Sequence, residues 1–200
     1  MGRSRLFIAC SLLTMFVLAA AAWGQAPSAP PADTLKVDYF SNANTSGAPD
    51  GTVRIVHPGT AAGNLCADIY VFDADEEMAA CCSCTLTPDD LLELSVNSDL
   101  TGNPLTGVTL TTGVIKVVSS TTRAGLCPLP VNITPVAALR TWVTHIQNGS
   151  FAVTEDSSPD ATLSQAEQNA LQGQCNAIKK VGSGKGICAN SAALAAICNN

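Results

Sequence analysis

Alternating apolar and polar residues dominate the middle of the chain and predict a series of short β-strands. In LKVDYF, Leu35, Val37 and Tyr39 alternate with polar residues, as in a half-buried strand. LCADIYVFD is the most apolar candidate, and GVTLTTGVIKVVSS predicts one long strand, bent or bulged at Gly113. These predicted strands are LKVDYF (35–40), TVRIVH (52–57), LCADIYVFD (65–73) and GVTLTTGVIKVVSS (107–120).

A hairpin is predicted over LRTWVTHIQNGSFAVT, residues 139–154. Its two apolar runs flank Asn148-Gly149, a dipeptide that favours the left-handed backbone of tight hairpin turns. Turn-rich segments also separate the other strands. The sequence therefore predicts a mainly β fold, an antiparallel sheet or a sandwich.

Two helices interrupt this pattern. In TPDDLLEL, Thr87 is a candidate N-cap, with Pro88 at the first helical position and Asp90 three residues after the cap, so a short helix is predicted near 88–95. In LSQAEQNALQGQCNAIKK, Ser164 and Glu167 have capping-box spacing. We expect a C-terminal helix there, ended by the glycines of GSGKG.

The first residues predict a signal peptide. Arg3 and Arg5 precede the uncharged apolar stretch 6–22, and small residues before Gln25 suit a signal peptidase. Retention of this stretch as a membrane anchor is the alternative, although its length is at the lower limit for a span. The predicted organisation is a signal peptide (1–24), a Pro/Ala-rich linker (25–34), a β-rich body (35–156), and a C-terminal helix with a cysteine-bearing tail (157–200).

Export determines how the cysteines are interpreted. The chain has nine cysteines, and removal of Cys10 with the signal leaves an even number in an oxidising compartment, which predicts disulfide bonds. The candidates are Cys66, Cys81, Cys82, Cys84, Cys127, Cys175, Cys188 and Cys198.

The cluster AACCSC limits the pairing. Adjacent Cys81 and Cys82 point apart in an extended chain, so we expect them to bond to different partners. We expect Cys66 to bond to Cys82 or Cys84 and Cys175 to bond to Cys188. The partners of the remaining cysteines stay open.

A metal site is the alternative for this cluster, with Cys66 as a fourth ligand. Structural zinc sites usually combine two close pairs of ligands, and this chain has one cluster and no second C-x-x-C. The acidic segment from Asp73 to Glu93 lacks the glycine and glutamate positions of an EF-type calcium loop. We therefore predict no metal site and no cofactor.

Charge narrows the classes of partner. Without the signal, 8 Lys and Arg stand against 16 Asp and Glu, a net charge near −8. Such a chain repels phosphate backbones and anionic lipids, so we expect no nucleic-acid partner and no membrane insertion after signal removal. Cell-surface partners or self-association remain open.

Catalytic motifs are absent from the sequence. It contains neither G-x-S-x-G nor H-E-x-x-H, and His57 and His145 are its only histidines. We therefore predict no catalytic residues and no enzyme. The favoured function is a structural or adhesive role outside the cytoplasm, secreted, periplasmic or at the cell surface. The alternatives are an extracytoplasmic binding module for a small ligand or metal ion, and a secreted hydrolase.

Three segments together resemble a group of bacterial proteins. The NLCADIYVFD strand, the CCSC cluster followed by LTPDDL, and the LSQAEQNAL tail with its later GSGKGIC resemble uncharacterised exported cysteine-rich proteins of acidobacterial soil bacteria. The resemblance implies extracytoplasmic residence. It implies no activity, fold or site residues.

Overall fold

The computed structural model describes residues 34–101, 109–147, 150–155, 162–181, 188, 196 and 198–199. The predicted signal peptide and nearly all of the linker lie outside this part of the chain. The strands described are β1 (Leu35–Phe40), β2 (Thr52–Val56), β3 (Leu65–Asp73), β4 (Met78–Leu86), β5 (Leu91–Ser95), β6 (Gly113–Thr121), β7 (Arg140–Gln147), β8 (Ser150–Glu155) and β9 (Cys198–Asn199). The helices are a π-helix (Val96–Leu100) and α1 (Gln165–Val181).

The strands form two antiparallel sheets. The first has the order β1-β6-β3-β4-β9, and the second has the order β5-β2-β7-β8. Every neighbouring pair is antiparallel. The mainly β fold predicted from the alternation is confirmed.

One apolar core joins the two sheets. Ile69, Val71 and Ile115 of the first sheet belong to the same buried cluster as Ile55 and Val143 of the second. Burial of these aliphatic side chains contributes roughly 25 cal/mol per Å² of apolar surface removed from water. The sheets therefore pack through their inner faces, as in a sandwich.

A second core covers the other face of the first sheet. Tyr70 and Val118 pack there with Ile133 of the loop after β6 and with Leu171 and Cys175 of α1. β3 is thus covered on both faces, and eight of its nine residues are buried. This accounts for its nearly continuous apolar sequence.

The helix predicted near 88–95 is wrong. Thr87 donates its backbone N–H (3.2 Å) and its hydroxyl (3.3 Å) to the Asp90 carboxylate, but these contacts close a turn. Asp89 adopts φ 64°, which stops a right-handed helix. β5 follows, because Leu92 and Leu94 alternate inward while Leu91 and Glu93 face outward.

Two strands differ in detail from their prediction. In β1, Lys36 and Asp38 are buried, whereas Val37 and Tyr39 are 36% and 43% exposed. The strand was predicted correctly, but the alternation of Val37 and Tyr39 predicted that they mark its buried face, and these two side chains are exposed. β6 begins only at Gly113, where a side chain would collide with the Phe72 carbonyl oxygen and the Phe40 ring.

The hairpin and the C-terminal helix are confirmed. β7 and β8 pair from Trp142 opposite Glu155 to Gln147 opposite Ser150. The predicted turn residues 148–149 lie outside the described part of the chain. Ser164 accepts the Glu167 N–H (3.1 Å) and caps α1 as predicted. Within the described residues, no helix is long and apolar enough to cross a membrane.

Candidate functional site

Four disulfides connect β3 and β4 of the first sheet to segments distant in the chain. All eight predicted cysteines take part: Cys66 with Cys127, Cys81 with Cys175, Cys82 with Cys188, and Cys84 with Cys198. β4 alone contributes three of these cysteines. The CCSC cluster therefore forms disulfide bonds, and its sulfurs are not free thiolates.

The two predicted pairings are wrong. Cys66 does not bond to Cys82 or Cys84, because Cys66 faces α1 and the loops whereas Cys82 and Cys84 face the core between the sheets. Cys175 does not bond to Cys188, because Cys175 packs in the α1-side core and Cys188 in the core between the sheets. The expectation that Cys81 and Cys82 bond to different partners is confirmed.

A buried carboxyl group lies at the centre of the first sheet. Asp68 of β3 accepts hydrogen bonds from the hydroxyls of Ser83 on β4 and Ser120 on β6, both at 2.5 Å. Its side chain has no solvent exposure. Burial raises the pKa of Asp68 to about 6, although both hydroxyl bonds oppose that rise. The group links three adjacent strands.

Tyr70 lies two residues further along the same face of β3. Its hydroxyl donates to the Pro130 carbonyl (2.9 Å) and fixes the loop after β6 over the sheet. Burial raises the pKa of Tyr70 well above its usual range, and the nearby Asp68 charge raises it further. Tyr70 therefore stays protonated and acts as a hydrogen-bond donor.

His57 is fully buried directly after the end of β2. Its Nδ1 accepts the Gly59 N–H (3.1 Å), so the opposite nitrogen, Nε2, donates to the Gly63 carbonyl (2.9 Å). Both ring nitrogens thus hold the loop 58–63. His145 lies on β7 opposite Ala152.

A cavity of about 390 Å³ opens between the first sheet and α1. Lys116 of β6 crosses it: its Nζ lies 2.6 Å from Glu167 Oε1 and 5.1 Å from the centroid of the Phe72 ring. Gln174 and Glu76 also line this space. Its size falls at the lower end of small-molecule sites.

The outer face of the second sheet carries a shallow groove of about 370 Å³. Arg54 of β2 lies directly opposite Glu93 of β5 and Trp142 of β7, so the three residues form a row across the sheet. Arg54 Nε is 2.5 Å from Glu93 Oε1, and Arg54 Nη1 donates to Thr144 Oγ1 (3.2 Å). We call this surface the Trp142 face; it is lined by Arg54, Val56, Leu91, Trp142 and Thr144.

Metal ligands do not come together in the part of the chain that the structure describes. No group of three or more His, Cys, Asp or Glu side chains there could hold a metal ion. In the acidic segment, Asp73 Oδ1 accepts the N–H groups of Asp75 and Glu77 (both 2.9 Å) and so closes the β3–β4 turn. The expected lack of a metal and a cofactor stays a prediction.

The sequence did not reveal Asp68, Lys116 or the Trp142 face. The burial of Asp68 could have been predicted, because a carboxylate in the middle of the apolar run LCADIYVFD must be buried if both faces of that strand are covered. Lys116 and Trp142 gave no such signal. Their partners Glu167 and Arg54 are 51 and 88 positions away in the chain. The packing of α1 on the first sheet brings Glu167 to Lys116, and the strand register places Arg54 opposite Trp142.

Comparisons with protein-family models, with curated proteins and with solved structures find no match for this chain.

Proposed function

We propose that this protein is an exported module with a structural or adhesive role outside the cytoplasm and with no catalytic activity of its own. The observation that supports this proposal is the pairing of Cys66, Cys81, Cys82, Cys84 and their four partners in disulfides. Disulfides persist in oxidising compartments and are rare where thiols are kept reduced.

A structural role is favoured by the positions that the disulfides connect. The bonded cysteines are 61 to 114 positions apart, and each bond attaches a distant segment to β3 or β4. In the chain-entropy model, loops of this length each stabilise the fold by roughly 4–5 kcal/mol when closed alone. Such a protein resists unfolding and proteolysis, as an extracellular component must.

An adhesive role is favoured by the Trp142 face. Leu91 is 52% exposed and Trp142, on the other side of β2, is partly exposed, and both lie on the side of the second sheet that faces away from the core. Exposed aromatic and aliphatic groups next to fixed polar groups are typical of surfaces that bind partners.

Expression of the full chain in an exporting bacterium tests this function. We expect the protein outside the cytoplasm, beginning at or near Gln25, with no free thiol after denaturation. Beads coated with it should be retained on cell-surface material more strongly than beads coated with reduced and alkylated protein. Recovery in the cytoplasm with free thiols would contradict export, and equal retention of both kinds of bead would contradict adhesion.

Small-ligand binding is the second candidate, and the cavity beside α1 favours it. Phe72 gives this cavity an aromatic wall, while Lys116 and Glu167 supply opposite charges. A thermal-shift screen of soluble metabolites tests it, with Lys116→Met as the variant and Arg54→Met as a control on the other sheet. Stabilisation of the wild type and the control, but not of Lys116→Met, would establish the site.

A hydrolase is the third candidate, and the geometry does not favour it. Asp68, whose carboxyl is bonded to two serine hydroxyls, has no exposed surface for a substrate to reach. Both ring nitrogens of His57 bind backbone groups. We therefore keep the structural and adhesive role as the conclusion.

A further inference from the structure

We infer that the Trp142 face binds an uncharged polysaccharide, with the indole of Trp142 stacked on a sugar ring. This inference rests on the proposed adhesive function and names the partner of that surface. Three features carry it: the polar groups are fixed, the charges that line the groove are balanced, and the apolar groups lie on one face of the sheet.

The polar groups are held by neighbouring strands. Arg54 contacts Glu93 through Nε (2.5 Å) and Thr144 through Nη1 (3.2 Å), which orients its guanidinium across the sheet. These two contacts engage two of the five N–H donors of an arginine, and the Glu93 carboxylate offers several acceptor positions. The row therefore presents donors and acceptors in set positions, as recognition of hydroxyl groups requires.

Charge selects among the possible partners. Arg54 and Glu93 neutralise each other, and the remaining residues that line the groove, Val56, Leu91, Trp142 and Thr144, are uncharged. Arg140, opposite Val56 at the margin of the groove, has an interaction of its own. A charged ligand would find no unpaired opposite charge among these residues. The net charge of the chain without its signal, near −8, also disfavours anionic polymers and anionic lipids.

The apolar groups fit a flat ligand. Trp142 lies beside Arg54, and Val56 lies directly opposite Leu91 in the neighbouring strand. Sugar rings have an apolar face of C–H groups and a rim of hydroxyls, which matches an aromatic plane beside fixed hydrogen-bonding groups. Tryptophan supplies a large, rigid contact area with little loss of conformational entropy.

A second copy of the chain fits this face less well. Stable dimers bury about 800 Å² on each partner, mostly through a continuous apolar centre. Here the three apolar side chains Val56, Leu91 and Trp142 are interrupted by the Arg54–Glu93 pair. A polymer that binds through many weak, repeated contacts does not need such an area.

Affinity electrophoresis of the oxidised full chain tests the inference. The gels contain a β-glucan, a xylan or a mannan as uncharged probes, and alginate or chitosan as charged ones. We expect at least one uncharged polymer to retard the protein. Trp142→Ala should weaken that binding about tenfold or more, whereas Trp142→Phe should keep most of it. Arg54→Gln should weaken it several-fold, which tests the site independently of the tryptophan.

Tyr39→Ala is the matched control, because Tyr39 is an exposed aromatic residue on β1 of the other sheet. It should bind like the wild type. Retardation by charged polymers alone, or unchanged binding by Trp142→Ala and Arg54→Gln, would overturn the inference. So would a dimer that Trp142→Ala converts to a monomer in sedimentation.

The bead assay separates failure of this inference from failure of the proposed function. If wild-type beads adhere and Trp142→Ala beads adhere equally, the polysaccharide site is wrong while the adhesive role stands. If wild-type beads do not adhere at all, the adhesive role itself is wrong.

Discussion

Cys81 and Cys82 are neighbours in the chain but form disulfides on opposite faces of the same sheet. Cys81 bonds to Cys175 of α1, and Cys82 bonds to Cys188 in the core between the sheets. Successive side chains of a strand point to opposite faces, so a Cys-Cys pair in β4 can attach segments on both sides. The C-terminal part of the chain is thereby attached to both faces of the first sheet, and Cys84 fixes Cys198 beside the same strand.

Replacement of Cys66 by serine should free the thiol of Cys127. Their disulfide closes 61 residues, so its loss should lower the free energy of unfolding by roughly 4 kcal/mol. Alkylation under denaturing, non-reducing conditions followed by peptide mapping locates the thiol. The double variant Cys66→Ser/Cys127→Ser is the control and should show no thiol. A label on Cys82 or Cys84 would contradict the pairing described above.

Replacement of Gly113 by alanine should destabilise the fold strongly. The added methyl group would overlap the Phe72 carbonyl oxygen of β3 and the Phe40 ring, neither of which can move without disturbing the core. We expect a loss of roughly 3 kcal/mol or more in urea unfolding. Gly173→Ala in α1 is the control, because nothing lies within 4 Å of its added methyl group. It should be neutral or slightly stabilising, by up to about 1 kcal/mol. Equal effects of the two variants would contradict the steric explanation.

Local chemistry in the sequence predicted strands, the hairpin and the capped helix, because each depends on residues close together in the chain. The same reasoning predicted a helix at 88–95 and failed. Thr87 and Asp90 do form their local contact, but pairing with β2 decided the structure of the residues that follow. Long-range pairing outweighed a local signal.

The pairing of the cysteines also depends on long-range structure that the local sequence does not determine. All eight bonded cysteines, and the divergence of Cys81 from Cys82, are predictable from the sequence, since they follow from the compartment and from strand geometry. The partners depend on which face of the sheet each distant segment covers, and no local pattern encodes that. The Trp142 face was missed for the same reason, since the register alone places Arg54 opposite Trp142.

Replacement of His57 by alanine should loosen the loop 58–63. The variant loses the acceptor for the Gly59 N–H and the donor to the Gly63 carbonyl in a fully buried position. Unpaired buried groups and the cavity together should lower the free energy of unfolding by roughly 2–4 kcal/mol. Hydrogen exchange should accelerate at the Gly59 amide. Pro58→Ala, a neighbour whose side chain makes neither bond, is the control. Unchanged exchange at Gly59 in His57→Ala would contradict this role.

Asp68 should make the protein less stable as the pH rises from about 4 to about 6. Its folded-state pKa of about 6 lies above the ordinary value of 3.8, so the folded state holds the proton more tightly than the unfolded state. Well below pH 3.8 both states are protonated and the carboxyl imposes no ionisation penalty. Between the two pKa values the unfolded state loses its proton first. The free energy of unfolding therefore falls by roughly 3 kcal/mol in total and becomes constant above pH 6.

The Asp68→Asn variant isolates this effect. Its side chain cannot ionise, so the difference in unfolding free energy between wild type and variant should change by roughly 2–3 kcal/mol between pH 4 and pH 7. Urea titrations at each pH measure that difference, and both proteins share the contributions of every other titrating group. A flat difference for Asp68→Asn, or a wild type that gains stability relative to this variant as the pH rises, would mean that the buried carboxyl does not hold its proton more tightly in the folded protein.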